Sequence, residues 1–318
     1  MKAVASGELL IDFNSVKTDE MGYPTLEAHP GGATINCLTT LKKFGAEASF
    51  IGKLGDDAFG KLIVNTMKEN GVDTSSVIVT PDAFTTLAFV TLDDTGDREF
   101  SFARKPGADI LLRYEEADLS VFDGADVFLF GTVAMTDEPS RSTTKKLAEY
   151  AREKGILIGY DPNLRASLWA SLEDAKEQML WGLSVADVVK ISDEEIEFLF
   201  GLSPQEGAEK ILADYANVKL VYATCGADGC YYNNRSVKGF TPAMSGLKVI
   251  DTCGAGDIFG GSAMFRLLSL GKKAEDLTQD DLDDITRFAS TSAGISTQKH
   301  GGISSIPELS DVLAAMKA

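Results

Sequence analysis

From about residue 125 onward, apolar runs of strand length alternate with polar segments of helical spacing. Residues 127–133 form an unbroken apolar run of strand formers, the pattern of a strand covered on both faces. Residues 138–154 follow with helical periodicity, and Gly155 stops them. The alternation continues through a strand at 156–160, a helix around 172–183, a strand at 188–191, a helix around 194–200 and a strand at 220–224. In the N-terminal third, a strand at 50–51 lies between helices near 35–44 and 59–70. Strands alternating with amphipathic helices predict a mostly parallel sheet with helices on both sides, an α/β fold.

Two stretches break this rhythm. Residues 12–29 show little helical periodicity, and 84–104 alternate in twos, with a turn signal at Asp94–Asp97 between strands at 86–92 and 98–102. They are expected to pair as one small sheet, a lid projecting from the α/β body. The acidic run 280–284 reads as a solvated helix start, where carboxylates suit the dipole. Nothing resembles a linker or a repeat, so residues 1–318 are expected to form a single domain carrying lid segments at about 12–29 and 84–104.

Composition narrows the function. With 30 basic against 48 acidic residues the formal charge is -18, which argues against nucleic acid or anionic lipid as a general partner. A small phosphorylated ligand stays possible, because oriented N–H groups can hold one locally. The four cysteines form no Cys-x-x-Cys pair and read as buried apolar residues in a reducing cytoplasm. Only His29 and His300 exist, so a His-rich zinc site is excluded. The apolar run at the start is too short for a signal peptide and is broken by Glu8 and Asp12. No stretch approaches ~18 uninterrupted apolar residues. A cytoplasmic protein with no membrane partner is expected.

The chemistry concentrates at strand ends and glycine turns. Asp251-Thr-Cys253-Gly254-Ala255-Gly256-Asp257 precedes a helical run of small residues. Its glycines permit close ligand approach, and its N–H groups point out of a helix N-terminus, which attracts phosphate. Asp257 in the first turn is either an acid complementing the dipole or a general base beside that anion hole. No Gly-x-x-x-x-Gly-Lys-Ser/Thr occurs, and no Gly-x-Gly-x-x-Gly follows the first strand, which disfavours P-loop and dinucleotide folds. Gly31-Gly32 opens the first long helix, with Asn36 placed to bond a polyol or simply to follow an N-cap region. Asp161-Pro-Asn163-Leu-Arg165 stands at a strand's carboxyl end, where ligands of open α/β sheets bind; Arg165 can offset phosphate charge or pair with surface carboxylates. Glu195 can organise Mg²⁺ through water or merely charge a helix start. Thr224 and Gly226 can line a nucleotide, with Gly229 serving a turn.

Taken in order, Gly31–Asn36 with Gly45 and Gly55, then 161–165, 192–195, 224–229 and 251–257 resemble the PfkB carbohydrate kinases, the ribokinase-like sugar and nucleoside kinases. Within that family, the segments 7–13 and 100–109 are most similar to bacterial fructokinases. Leu38, Ser192 and Ala103 are departures from the usual pattern. The resemblance implies a ribokinase-like three-layer α/β/α fold with a small β-sheet lid, and a homodimer formed through that lid. It implies transfer of the γ-phosphoryl group of ATP, with Mg²⁺, to a sugar hydroxymethyl, D-fructose first. 2-Keto-3-deoxygluconate or ribose is the alternative within the class, and a catalytically idle sugar- or nucleotide-binding regulator the alternative outside it. Asp257 would be the base, Gly254, Ala255 and Gly256 the anion hole, and Arg165 a phosphate partner. Asp12, Gly31, Gly32, Asn36 and Arg104 would hold the sugar, Arg104 reaching in from the lid. Asn163, Glu195, Thr224, Gly226, Gly229, Gln298 and Gly301 would serve the nucleotide and its metal. A potassium ion would sit near Asp251, Cys253, Ala293, Gly301 and Ser305, unless Gly301-Gly302 is only a turn.

Overall fold

Alternation inside each strand explains how the chain layers itself. The computed structural model describes residues 1–92 and 98–317, and the expected turn at Asp94–Asp97 lies outside them. The strands are β1 (Lys2–Ser6), β2 (Leu10–Thr18), β3 (Pro24–Gly31), β4 (Glu47–Gly55), β5 (Val77–Thr80), β6 (Thr86–Leu92) and β7 (Arg98–Ala103). They continue with β8 (Val127–Gly131), β9 (Leu157–Asp161), β10 (Val188–Ser192), β11 (Leu220–Thr224), β12 (Gly229–Asn233) and β13 (Lys238–Pro242). The helices are α1 (Ala33–Lys43), α2 (Ala58–Glu69), α3 (Ser140–Glu153), α4 (Leu172–Val185), α5 (Asp193–Phe200), α6 (Pro204–Asp214), α7 (Ala255–Leu270), α8 (Gln279–Ser296) and α9 (Leu309–Ala315).

Nine strands form one sheet in the order β13-β12-β11-β10-β9-β8-β1-β4-β5. It is parallel from β5 to β11, and only the β11-β12-β13 edge is antiparallel. Within β8, Val127 and Leu129 join one core with Ile35, Leu38, Phe259 and Leu267 of α1 and α7. Phe128 and Phe130 point the other way, into a core with Leu147, Met179, Leu183 and Ile211 of α3, α4 and α6. Period two thus divides one apolar run between two helical layers. The three-layer reading holds. The sequence left β1 and the antiparallel edge unread.

A separate four-stranded sheet, β3-β2-β6-β7, is built from the two stretches that broke the rhythm. Strands β2 and β6 are parallel, and β3 and β7 flank them antiparallel. The acidic run does open a helix: Thr278 caps α8, with Asp280 and Asp281 in its first turn. Among the described residues no helix is long and apolar enough to cross a membrane. The parallel strands β8 to β11 end side by side at Gly131, Asp161, Ser192 and Thr224, where such a sheet opens its ligand crevice.

Candidate active site

Helix α7 begins at that crevice. Gly254, its N-cap, has φ 74°, and a Cβ there would lie 2.9 Å from the Gly302 Cα. Glycine is therefore required both for the left-handed turn and for the loop packed against it. The first N–H groups of α7 have no carbonyl of their own helix to bond, so they face the crevice. The Ala255 N–H partly departs from expectation, since it closes a 3.3 Å turn onto the Thr252 carbonyl.

Asp257 stands in this first turn and is held by two amides. Asn36 Nδ2 of α1 donates to its Oδ2 at 2.9 Å, and Asn163 Nδ2 approaches its Oδ1 at 3.4 Å. Asn163 can face it because its backbone is left-handed, φ 52°, which asparagine tolerates. Thr132 fixes that loop by donating from Oγ1 to the Pro162 carbonyl at 2.6 Å. Asn163, expected to serve the nucleotide, lies beside the Asp257 carboxylate.

Asp257, Asn36, Asn163, Arg165, Asp12 and Gly32 line a cavity of about 660 Å³. Gly31 lies behind Asp12, whose Oδ2 is 2.7 Å from where a Gly31 Cβ would be. Burial pushes the Asp257 carboxyl from 3.8 up to about 6, against the Asn36 amide, Lys190 and Arg165, which favour its charge. Asp12 is pushed to about 7, again first by burial, with Arg165 opposing and Asp257 adding to the rise. A carboxylate near 6 in a cleft is poised to take a proton at neutral pH.

Lys190 was missed from sequence. It projects from the apolar strand β10 into the same cavity, with Nζ 3.0 Å from Asp161 Oδ2 and 3.2 Å from the place of a Gly256 Cβ. Burial alone would lower its pKa, but the carboxylates of Asp161, Glu195 and Asp257 outweigh this and push it up. It is a fixed cation against the first turn of α7. The signal available was a lysine inside a strand otherwise covered on both faces.

Arg104 does not line the cavity: its guanidinium holds Asp109 through Nε (2.9 Å) and Nη2 (2.6 Å), and donates to Thr136 Oγ1 and the Val133 carbonyl. Asp109 lies only five residues on and is itself buried, so it captures the charge that was expected to meet a sugar. From the small sheet, Phe102 of β7 reaches the cavity, as do Leu10 and Asp12 of β2. Glu195 lines the cavity too, yet its Oε2 caps the Ser192 N–H at 2.8 Å and its Oε1 accepts from the Leu164 N–H at 2.7 Å. It ties α5 to the Asp161–Arg165 loop. Among the described residues, no three His, Cys, Asp or Glu side chains stand together as direct metal ligands.

A second cavity of about 600 Å³ lies on the other side of the α7 N-terminus. Thr224, Gly226 and Gly229 line it, together with Met244, Leu247, Val249, Phe259 and Ala293. Thr252 and Gly256 belong to both cavities, so the first turn of α7 is the partition between them. Gln298, expected to contact the nucleotide, is exposed, and its neighbour Thr297 lines the cavity, its carbonyl accepting from the Ile250 and Asp251 N–H groups. The side chain of Asp251 stitches the two loops together: Oδ1 accepts from the Cys253 N–H at 2.8 Å, and Oδ2 from the Gly301 N–H at 3.0 Å. Ser305 donates to the Gly302 carbonyl at 2.9 Å.

The chain is similar to known proteins in both sequence and fold. The model of the pfkB family of carbohydrate kinases matches residues 1–309. The chain is 38% identical over 316 residues to probable fructokinase-4 of Arabidopsis thaliana, covering 99% of this chain and 96% of that protein. It is equally 38% identical to fructokinase-1 of Oryza sativa, covering 99% and 97%. Among solved structures it is similar to the fructokinase of Xylella fastidiosa with bound ATP, at a TM-score of 0.89 and 29% identity, covering 99% and 98%. It is also similar to a double mutant of the Vibrio cholerae fructokinase bound to fructose, ADP and potassium ion, at 0.86 and 28%, with the same coverage. The chain belongs to the pfkB family of carbohydrate kinases.

Proposed function

We propose that this chain phosphorylates D-fructose, transferring the γ-phosphoryl group of ATP to a hydroxymethyl oxygen and giving fructose 6-phosphate. The observation that carries this is the Asp257 carboxylate, held by two amides in the turn that separates two cavities. The sugar belongs in the 660 Å³ cavity, where Asp12, Asn36 and Gly32 supply hydrogen-bonding groups, and the nucleotide in the 600 Å³ one. The hydroxyl proton passes to an Asp257 oxygen as the hydroxymethyl oxygen bonds to the γ-phosphorus. The bond from phosphorus to the bridging oxygen breaks, and ADP leaves with that electron pair. The N–H groups of the first turn of α7, with Lys190 and Arg165, lie where negative charge spreads over the transferred group; positioning and electrostatics are most of what this reaction needs.

The cavity's donors fit a nucleotide-bound divalent cation. We take it to be Mg²⁺, approached through water by Glu195 and bound otherwise to the phosphates, since no cluster of direct ligands stands ready. The cation would neutralise phosphate charge. A potassium ion is proposed beside Asp251, Cys253, Ala293, Gly301 and Ser305. The side chain of Asp251 already joins the two loops concerned, and the Vibrio cholerae protein binds such an ion. A homodimer through the lid is supported by Val16, Met21, Tyr23 and Leu26, apolar side chains exposed on β2, β3 and the turn between them.

A panel of sugars with ATP consumption measured tests the reading. The expected outcome is the highest kcat/KM on fructose, with ribose and 2-keto-3-deoxygluconate far behind. Phosphorylation of no sugar on the panel would overturn it.

A further inference from the structure

The helix that carries Asn36 has an unusual start. The N-cap of α1 is Gly32, which has no side chain to accept a first-turn N–H, and no acidic residue follows in that turn. Serine, threonine, aspartate or asparagine would ordinarily fill this place. None can here: Gly32 has φ 133°, and a Cβ on it would lie 2.3 Å from the Glu8 carbonyl oxygen. The loop between β1 and β2 is pressed against the helix end, and it brings its own acceptor. Glu8 Oε1 receives the Ala33 N–H at 2.6 Å.

Glu8 is buried, 3% exposed, and belongs to the wall of the 660 Å³ cavity. A buried carboxylate is costly unless it is hydrogen-bonded or paired, and the Ala33 N–H is what Oε1 gains. From Ala33 the path to the chemistry is one helical turn. The Asn36 N–H bonds the Gly32 carbonyl at 3.0 Å, and the Asn36 side chain then holds Asp257 at 2.9 Å across a sequence separation of 221 residues.

We propose that Glu8 is a positioning residue for this reaction: its carboxylate caps α1 from outside the helix and thereby fixes the Asn36 amide that orients the Asp257 carboxylate. The assignment rests on the proposed role of Asp257 as base. Its consequence is that Glu8 acts on turnover mainly through Asn36, beside the smaller direct effect of its charge, which adds to the rise of the Asp257 carboxyl.

A double-mutant cycle reads that route directly. Glu8→Ala should lower kcat by about tenfold to a hundredfold, the scale of a small misplacement at a reacting centre, while KM for the sugar rises by less. Glu8→Gln keeps an oxygen for the Ala33 N–H and should restore kcat to within about threefold of wild type. In an Asn36→Ala background, Glu8→Ala should cost almost nothing further. If Glu8→Ala does not fold, Glu8→Asp replaces it in the same cycle, because it keeps the charge but withdraws it from Ala33. Losses that multiply in the double variant, a Glu8→Gln enzyme as impaired as Glu8→Ala, or a folded Glu8→Ala enzyme with unchanged kcat would each overturn the proposal. The cycle uses whichever sugar the wild type phosphorylates best. A wild type that phosphorylates none defeats the reading of the site, whereas a fructokinase with additive losses defeats only the role of Glu8.

Discussion

Replacing Asp257 by Asn removes one charge and leaves the shape of the site nearly intact. In the folded state that charge is held in a partly buried place, and burial raises the carboxyl pKa from 3.8 to about 6. A raised carboxylate pKa means that the ionised form is the costly one. The cost is absent below pH 3.8 and complete once the pH has risen past about 6. At pH 7 it is at most about 3 kcal/mol, because solvent reaches part of the group and screens it. Asp257→Asn should therefore melt higher than wild type at neutral pH, by at least about 2 °C, and the gain should vanish toward pH 4. Turnover should fall by roughly 10²–10⁴, about 3–5 kcal/mol of transition-state stabilisation, which is the range of a positioned base. An acid limb of kcat/KM is expected near pH 6 in the wild type, and it should weaken with the substitution. Scanning calorimetry across pH 4 to 8 and steady-state rates on the same preparations measure all three. A folded variant that turns over within threefold of wild type, or that melts lower at pH 7, would refute the reasoning.

Lys190→Gln removes the ammonium that helps keep Asp257 ionised, so the acid limb of kcat/KM should move to higher pH; an unmoved limb would place Lys190 outside the site's electrostatics. Asp161 loses its 3.0 Å partner in the same variant, and a lower melting temperature should accompany the shift. Kinase rates in potassium should exceed those in a large organic cation at equal ionic strength, and equal rates would remove the monovalent ion from the mechanism. Light scattering at micromolar concentration should give twice the chain mass, and Tyr23→Lys with Met21→Lys should lower it; a wild-type monomer would refute the lid dimer.

The parts of this site that could be read from sequence are the ones whose meaning is local. Gly254 to Asp257, Thr224 and Gly226 stand at turns where glycine spacing and strand ends announce a helix start and a crevice, with no knowledge of distant neighbours. Lys190 could not be read in this way, because a lysine in Val-Val-Lys-Ile-Ser acquires a role only when Asp161 arrives on the adjacent strand β9. Arg104 misled for the opposite reason. Its place just after β7 suggested a reach into the cavity, while the competing partner was Asp109, whose pairing across five residues nothing in the sequence announces. The antiparallel edge escaped because the turn from β11 into β12 lies in the glycine cluster at 226–229, which reads as the lining of a cavity. Boundaries of the long helices were legible to within about two residues, as with α3, expected at 138–154 and found at Ser140–Glu153.

The hydrogen bond between Asn36 and Asp257 joins the first helix of the chain to the seventh, over a separation of 221 residues. Loop closure of that length is slow, and no local unit of the chain contains both partners. During synthesis β1, α1 and β4 are complete long before Asp257 exists, so a nascent chain can hold no complete site. During refolding, recovery of kinase activity should coincide with the last global step and lag any signal from β1, α1 and β4. Turnover is then a reporter of complete folding, and partly folded chains are silent toward ATP.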